Sequence, residues 1–595
     1  MVKSFRRVNL MCFFTLAFFL VLATLSVSTS PAKKINVVLL VLDQLRADRL
    51  HCYGNARETS PNIDRLAQRG VRFSHFFAVS PWTSPSFASL HTSLFPSRHG
   101  VTLDWQPVVP LIDKDTPMLV PTFKYHGYYT TAFVNNGYAG QELTGRGFDE
   151  YYEGQKSAQN VNVTERLAGN KLYTAPQTTK LVLSWLEQHR SESFFLYVHL
   201  WEPHSPYNPP PEDDIFKSDA YPYLFDTGYD VAHSPAKRLA MLGDQKAIER
   251  LYELYDGKIH FVDRYVGQIL DHLRKLGLQE NTLVVLTSDH GELLYSHPGD
   301  FPTFDHRSLY DTAVHIPLIV AGPHVPEGRT INELASNIDT SPTVLDLAGL
   351  PLISDAQGQT LVPLIQGEKE SLNQYIYLEQ DLVPPQRAVR TLHYKLIRNL
   401  WTGKELLFDL DRDPGEQHSI IQGNPQVVED LQAHLDEWVK QNEPPKEVQL
   451  RRWRIYTQAS PTTIVDDSSI GSRFMITGGG WHSDTEPRSG NYEQGCFWAE
   501  GGNGSRTAVW RTDDPMLGTY KVYVYYGHPP VGRLATNAPF TVVTDIDSRN
   551  LRVDFNSRAG EWHLLGTYHN PRYVSVSDAA DGIIIVDAAK FERLD

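Results

Sequence analysis

The 595-residue chain has only three cysteines, Cys12, Cys52 and Cys496. Thiols so few and so far apart give no disulfide framework and no thiolate metal site. Positive charge is also in short supply: 55 Lys and Arg stand against 70 Asp and Glu, a formal net charge of -15. That balance excludes a general nucleic-acid binder, which needs a basic surface to neutralise phosphates. A small anionic ligand stays open, because a metal ion can dominate the local field. No tandem repeat or low-complexity tract occurs.

The longest apolar run, Met11–Val27, lies in an uncharged stretch from Val8 to Ala32 behind Lys3, Arg6 and Arg7. Residues 1–32 read as a secretory signal peptide. The run is also nearly long enough to span a bilayer, so an uncleaved N-terminal membrane anchor is the rival reading. Both place the rest of the chain outside the cytoplasm, whether periplasmic, secreted or membrane-anchored.

A chain of this length exceeds one core, so two or more domains are expected. Three apolar runs, Ile35–Leu42, Phe194–Leu200 and Thr282–Thr287, read as buried parallel strands that end abruptly in polar residues. Helical patterns lie between them, as in Pro61–Gly70 and Ala247–Leu276. The alternation predicts a doubly wound α/β domain over residues 33–442, with a parallel sheet, helices on both faces and a small subdomain at about 370–440. Residues 443–461, around the stretch NEPPKEVQ, read as a linker. From 462 to 595 helical patterns give way to short alternating strands (TYKVYVYY, APFTVVT, NLRVDF, GIIIVDA), which predicts an all-β sandwich.

Chemistry gathers where the three strands stop. Asp43 follows the first, Glu202 and His204 the second, Asp289 and His290 the third. Ligands of open α/β sheets sit at the carboxyl ends of the strands, so three such ends deliver these groups to one rim. The segment TSPSFASLHTSLFPSRHG predicts a helix starting near Pro85 with Thr83 or Ser84 at its cap. Alone, that start is explained by capping. A helix N-terminus is also an anion site, and its hydroxyl can face a phosphate or sulfate group. Asp43, Asp289 and His290 form a mixed oxygen and nitrogen set that suits Mn or Zn better than Ca or Mg. A divalent metal beside Thr83 would lower the pKa of its hydroxyl and make it a nucleophile near neutral pH.

These residues carry a family resemblance. NVVLLVLDQLRADRLHCYG, SPNIDRLAQRGVRFSHFFA, TSPSFASLHTSLFPSRHGV, LYVHLWEPHSPY, TSDHGELL and DHRSLYDTAVHIPLIV occur in the order found in sulfatases of the alkaline phosphatase superfamily. The later stretch AVRTLHYKLIRN…ELLFDLDRDPGEQHSI resembles their small C-terminal subdomain. The resemblance runs from about Ile35 to about Lys440. It implies one divalent ion held by Asp43, Asp289, His290 and Thr83, with Thr83 as nucleophile. His204 falls where the family places an imidazole near the leaving group, and His306 where it has a lysine on the sulfate. Each imidazole can also be read as loop packing.

The departures from the family pattern are chemical. Thr83 stands where sulfatases carry a Cys or Ser that becomes formylglycine, a conversion that threonine does not undergo. Phe87 replaces the signature arginine, Gln44 replaces the second Asp of an Asp-Asp pair, and Asn135 or Asn136 lies near the places of a missing lysine and histidine. A Thr nucleophile instead resembles the phosphodiesterases, nucleotide pyrophosphatases and phosphoglycerol transferases of the superfamily. Their Asp-x-x-x-His motif for a second zinc is absent, so one metal is expected. Arg98 is set aside as a solvated charge. Residues from about Pro461 resemble the golvesin and xanthan-lyase carbohydrate-binding-like domain, with Trp510 and Tyr523–Tyr526 readable either as sugar platforms or as core. The leading expectation is an exported metallohydrolase that cleaves or transfers a phosphoester on a glycan or lipid. The alternatives are a sulfatase of sulfated polysaccharide working without formylglycine, and a non-catalytic adhesion protein.

Overall fold

The computed structural model describes residues 34–594 apart from 103–111, 137–144, 154–174, 219–220, 222–223, 225–233, 242, 298–305, 307, 382–384, 401–402, 445–461, 467–473, 485–495, 512–515, 517, 528–531 and 558. The leader and most of the expected linker lie outside the described residues. Among the described residues no helix is long and apolar enough to cross a membrane.

The first core is built on an eight-stranded sheet. Its strands are β1 (Asn36–Leu42), β2 (Val71–Phe77), β3 (Tyr129–Val134), β4 (Glu150–Glu153), β5 (Phe194–Leu200), β6 (Thr282–Ser288), β7 (Leu318–Ala321) and β8 (Arg329–Ser336). Their order is β4-β3-β5-β1-β6-β7-β2-β8. The three runs read from the sequence are its centre, and every residue of β1, β5 and β6 is buried. Runs without alternation are expected for strands covered on both faces. The sheet is mixed and not wholly parallel: β7 runs antiparallel to both β6 and β2.

The helices among the described residues include α1 (Pro61–Gln68), α2 (Thr83–Thr92), α3 (Ala175–Gln188) and α4 (Gln245–Lys275). Asp244 caps α4, accepting from the Lys246 and Ala247 amides. The α2 helix starts at Thr83 itself, with Trp82 at the N-cap, one or two residues ahead of the start read from Pro85. All ten of its residues are buried, so it is a core helix that brings Thr83 inside with it.

A second, antiparallel sheet comes next, in the order β12-β11-β10-β9, with β9 Ile376–Gln380, β10 Gln386–Arg390, β11 Tyr394–Asn399 and β12 Glu405–Asp409. Helix α5 (Pro425–Asn442) lies on it through Leu431, Leu435 and Trp438, which share a core with Val79, Phe95 and Val389. The subdomain is pinned behind α2, where the buried Glu379 carboxylate accepts from the Ser97 amide and hydroxyl at 3.2 and 3.0 Å. Among its described residues the C-terminal region is all-β, in three antiparallel sheets of four, five and three strands, one sheet more than a simple sandwich has. Thr519–Tyr525 and Ala538–Thr544 alternate strictly between buried and partly exposed residues, as half-buried strands do.

Candidate active site

Strand register assembles the site. Val41 of β1 pairs with His199 of β5 and with Thr287 of β6, and His199 pairs in turn with Val134 of β3. Paired side chains point to one face, and so do residues two further on. Asp43, Asp289 and Asn136 each stand two residues beyond that row, on the face that His199 occupies. Asn136 donates to Asp43 Oδ2. Asp43, His199 and Asp289 offer ligand atoms that all lie within 4.8 Å of one another.

The strand ends are locked by one hydroxyl. Ser288 Oγ donates to the Leu42 carbonyl at 2.6 Å and accepts from the Leu45 amide at 2.9 Å. Between them Gln44 takes a left-handed φ of 59°, a conformation that costs a non-glycine residue about 1–2 kcal/mol. Its amide donates to Asp289 Oδ1 at 3.0 Å, and its carbonyl accepts from the Tyr255 hydroxyl. These bonds hold the turn in place.

His290 has a defined tautomer. Its Nδ1 lies 2.9 Å from the Gly291 carbonyl, which can only accept, so Nδ1 carries the proton and Nε2 the lone pair. Nε2 sits 3.2 Å from Thr83 Oγ1 and 3.5 Å from Asp289 Oδ2. The Ser86 hydroxyl donates to the Asp289 carbonyl at 2.5 Å and fastens the first turn of α2 to this corner. Thr83, Asp289 and His290 are thus together, while Asp43 joins Asp289 and His199 in the group of mutually close ligand atoms, of which His290 is not part; all are buried.

Of the two outer imidazoles, His306 packs directly on His290. The His306 ring lies 4.3 Å from that of His290 and 4.5 Å from Trp82, and its Nδ1 is 3.1 Å from Gln44 Nε2. His204 packs on Trp201, ring centroids 4.0 Å apart, and its Nδ1–H donates to the Ser205 carbonyl at 2.7 Å. Burial pushes the His204 pKa down to about 3, so this imidazole is neutral near pH 7. Arg98 is exposed and donates to the Gln441 carbonyl, away from the site. Glu202 accepts from the Ala175 amide and lies 3.9 Å from Lys258, a structural position.

The residues present fit a divalent cation. Asp289 Oδ2, Gln44 Oε1 and both nitrogens of His199 are buried and make no hydrogen bond. Such atoms each cost about 1–3 kcal/mol unless something satisfies them. Burial drives the His199 pKa down to about 4, leaving a neutral ring with a lone pair to offer. Burial alone would raise the Asp289 pKa, but His290, His199 and the Gln44 and His290 amides outweigh it, and the carboxyl is held below its usual value.

A family model for sulfatases matches residues 35–350, more than half of the chain. The chain belongs to the sulfatase family. It is therefore an enzyme of the alkaline phosphatase superfamily, and the reading as a non-catalytic adhesion protein falls away. A model for the C-terminal region of N-sulphoglucosamine sulphohydrolase matches residues 299–443, and one for the golvesin C-terminal domain matches 463–593. Relatives include an N-acetylglucosamine-6-O-sulfatase of Bacteroides thetaiotaomicron, 24% identical over 65% of this chain and 83% of its own length. Arylsulfatase K of Bos taurus is 27% identical over 67% of this chain and 81% of its own. Among solved structures, a 2-O GAG sulfatase superposes with a TM-score of 0.56 at 22% identity, covering 69% of this chain and 93% of its own. A phosphonate monoester hydrolase of Agrobacterium radiobacter gives 0.54 at 21%, covering 68% and 95%.

Set against the sulfatase signature, Phe87 is fully buried, with its ring 4.8 Å from that of His199. His199, Gln44 and Asn136 are the site residues that motif reading passes over as functional. The signal for His199 is a lone imidazole inside an apolar strand, two residues short of the rim.

Proposed function

We propose that this sulfatase-family hydrolase is exported and cleaves or transfers a phosphoester, with Thr83 as nucleophile, on a glycan- or lipid-linked substrate. The observation that carries the reading is the Thr83 hydroxyl at the start of α2, 3.2 Å from His290 Nε2 and beside two buried carboxylates. Threonine is not a precursor of formylglycine, so Thr83 itself must be the attacking group. A divalent cation held by Asp43, Asp289 and His290 would supply charge to stabilise the equatorial oxygens and to acidify the hydroxyl.

The chain's own residues divide the remaining work. Thr83 Oγ1, its proton lost to solvent, forms a bond to phosphorus as the ester oxygen leaves with the bonding electron pair and takes up a proton. A carboxylate-lined site with Phe87 in place of arginine lacks the cationic wall that a dianionic phosphate monoester needs, which favours a monoanionic ester such as a phosphodiester. His306, packed against His290, faces a non-bridging oxygen. His204 is neutral at rest, so it suits the second half-reaction, accepting the proton of an incoming water or alcohol while the Thr83–phosphorus bond breaks. As donor to the leaving oxygen in the first half, it needs the anionic ester beside it to raise its pKa. The C-terminal region would hold the enzyme on a polysaccharide or cell-surface glycan.

The second reading is a sulfuric ester hydrolase, supported by relatives whose names specify sulfatase activity. Purified protein with Mn or Zn would be assayed on aryl phosphate monoester, diester, phosphonate and sulfate, beside Thr83→Ala. The phosphoester reading expects diester or phosphonate turnover, with a phosphoryl group trapped on Thr83 by acid quench and mass spectrometry. Sulfate turnover that survives Thr83→Ala would sink it.

A further inference from the structure

We propose that His199 is a direct ligand of the metal ion, completing with Asp43, Asp289 and His290 a set of two carboxylates and two imidazoles. The inference rests on the metal reading above and extends it to a donor from the interior of a strand. Three observations carry it. First, the register of β1, β5 and β6 places His199 on the same face as the two carboxylates, with Nε2 3.6 Å from Asp43 Oδ2. Second, the ring is fully buried and neither nitrogen makes a hydrogen bond. A residue that merely filled this strand would be stabler as Leu or Phe, because an unsatisfied buried nitrogen lowers stability. Third, Phe87 presses edge-on against the ring, at an interplanar angle of 70°, and presents it no polar partner on that side.

Two substitutions in the family signature become intelligible together. Phe87 puts an apolar ring beside His199 at the position of the signature arginine. Gln44 removes one carboxylate, and His199 restores a donor without restoring charge. Two carboxylates and two neutral imidazoles balance a divalent ion, and they select Zn, Co or Mn over the hard ions Ca and Mg.

The test is metal binding to the full-length apo-protein, independent of turnover. Zn and Ca affinities would be measured by chelator competition for wild type, His199→Phe, which keeps the packing, and His199→Asn, with folding checked by circular dichroism. The expected result is a Zn affinity lowered by roughly 100-fold or more in both variants, with Ca affinity nearly unchanged. Co(II) visible bands should shift, and zinc X-ray absorption should fit two imidazoles in wild type and one in His199→Phe. Wild-type spectra with a single imidazole, or variants that keep wild-type Zn affinity and Co(II) bands, would overturn the proposal. Failure of the metal reading itself looks different: Asp43→Ala and Asp289→Ala would then also leave Zn binding unchanged, and both inferences would fall.

Discussion

Thr83 has two duties that can be separated by substitution. As the first residue of α2 it belongs to a buried helix start, and as a hydroxyl beside His290 it is the proposed nucleophile. Thr83→Ala keeps the helix and removes the oxygen. Turnover should fall on the order of 10³-fold or more, while stability changes by only about 1 kcal/mol, as read by an aryl ester assay and by urea unfolding. A parallel loss of stability of several kcal/mol would assign Thr83 to the fold. Ser288 shows the opposite balance. Ser288→Ala leaves the buried Leu45 amide and Leu42 carbonyl without their partner. It should cost about 1–3 kcal/mol in chemical denaturation and also weaken metal binding, because the hydroxyl sets the spacing of Asp43 and Asp289.

At the scale of elements, α2 matters because it is buried along its whole length. His91, near its C-terminal end, is fully buried, makes no hydrogen bond at either nitrogen, and has its pKa pushed by burial down to about 4. In the unfolded chain a histidine titrates near 6.5. As pH falls below that value the unfolded state takes up the proton first, so stability present at pH 7 is lost progressively toward pH 4, by about 3 kcal/mol from this group. His199, with a pKa of about 4, adds to the same trend in the metal-free protein. Phenylalanine would pack against Tyr197, whose ring already lies 5.2 Å from His91. His91→Phe should flatten the slope of unfolding free energy between pH 6.5 and 4 by about one proton, measured from urea curves at several pH values. An unchanged slope would mean that water reaches His91.

For the whole molecule, metal and glycan are the two linkages to test. The site gathers two carboxylates and a dry imidazole, so removing a cation from it should destabilise the fold as well as stop turnover. Dialysis against EDTA should lower the thermal midpoint, and Zn or Mn at about 100 times Kd should restore about 2.7 kcal/mol. A midpoint indifferent to chelation would argue against a resident ion. In the C-terminal region Trp510 and Tyr526 are core, so neither can serve as a sugar platform. Tyr523, Tyr525 and Trp562 are among the partly exposed aromatics there, with the Lys590 ammonium over the Tyr523 and Trp562 rings. Trp562→Ala should reduce retention on an anionic polysaccharide column while turnover of a small aryl ester stays as in wild type. Equal retention would leave this face without a role in binding.

The sequence by itself determined what short-range order and residue chemistry can encode. Apolar runs marked β1, β5 and β6, and the polar residues at their ends marked Asp43, Asp289 and His290. What only the tertiary structure decided depends on neighbours remote in sequence. The reversed direction of β7 is seen only in its pairing with β6 and β2, and its four apolar residues carry no signal of it. The third C-terminal sheet needs pairings between Phe497–Ala499 and Ile584–Val586, far apart in the chain. His199 is the sharpest case. Inside FFLYVHL it looks like one more buried strand residue, and only the register of β5 against β1 turns its ring toward the two carboxylates. A one-residue slip would put it on the opposite face, so its place in the site belongs to the sheet and not to the motif.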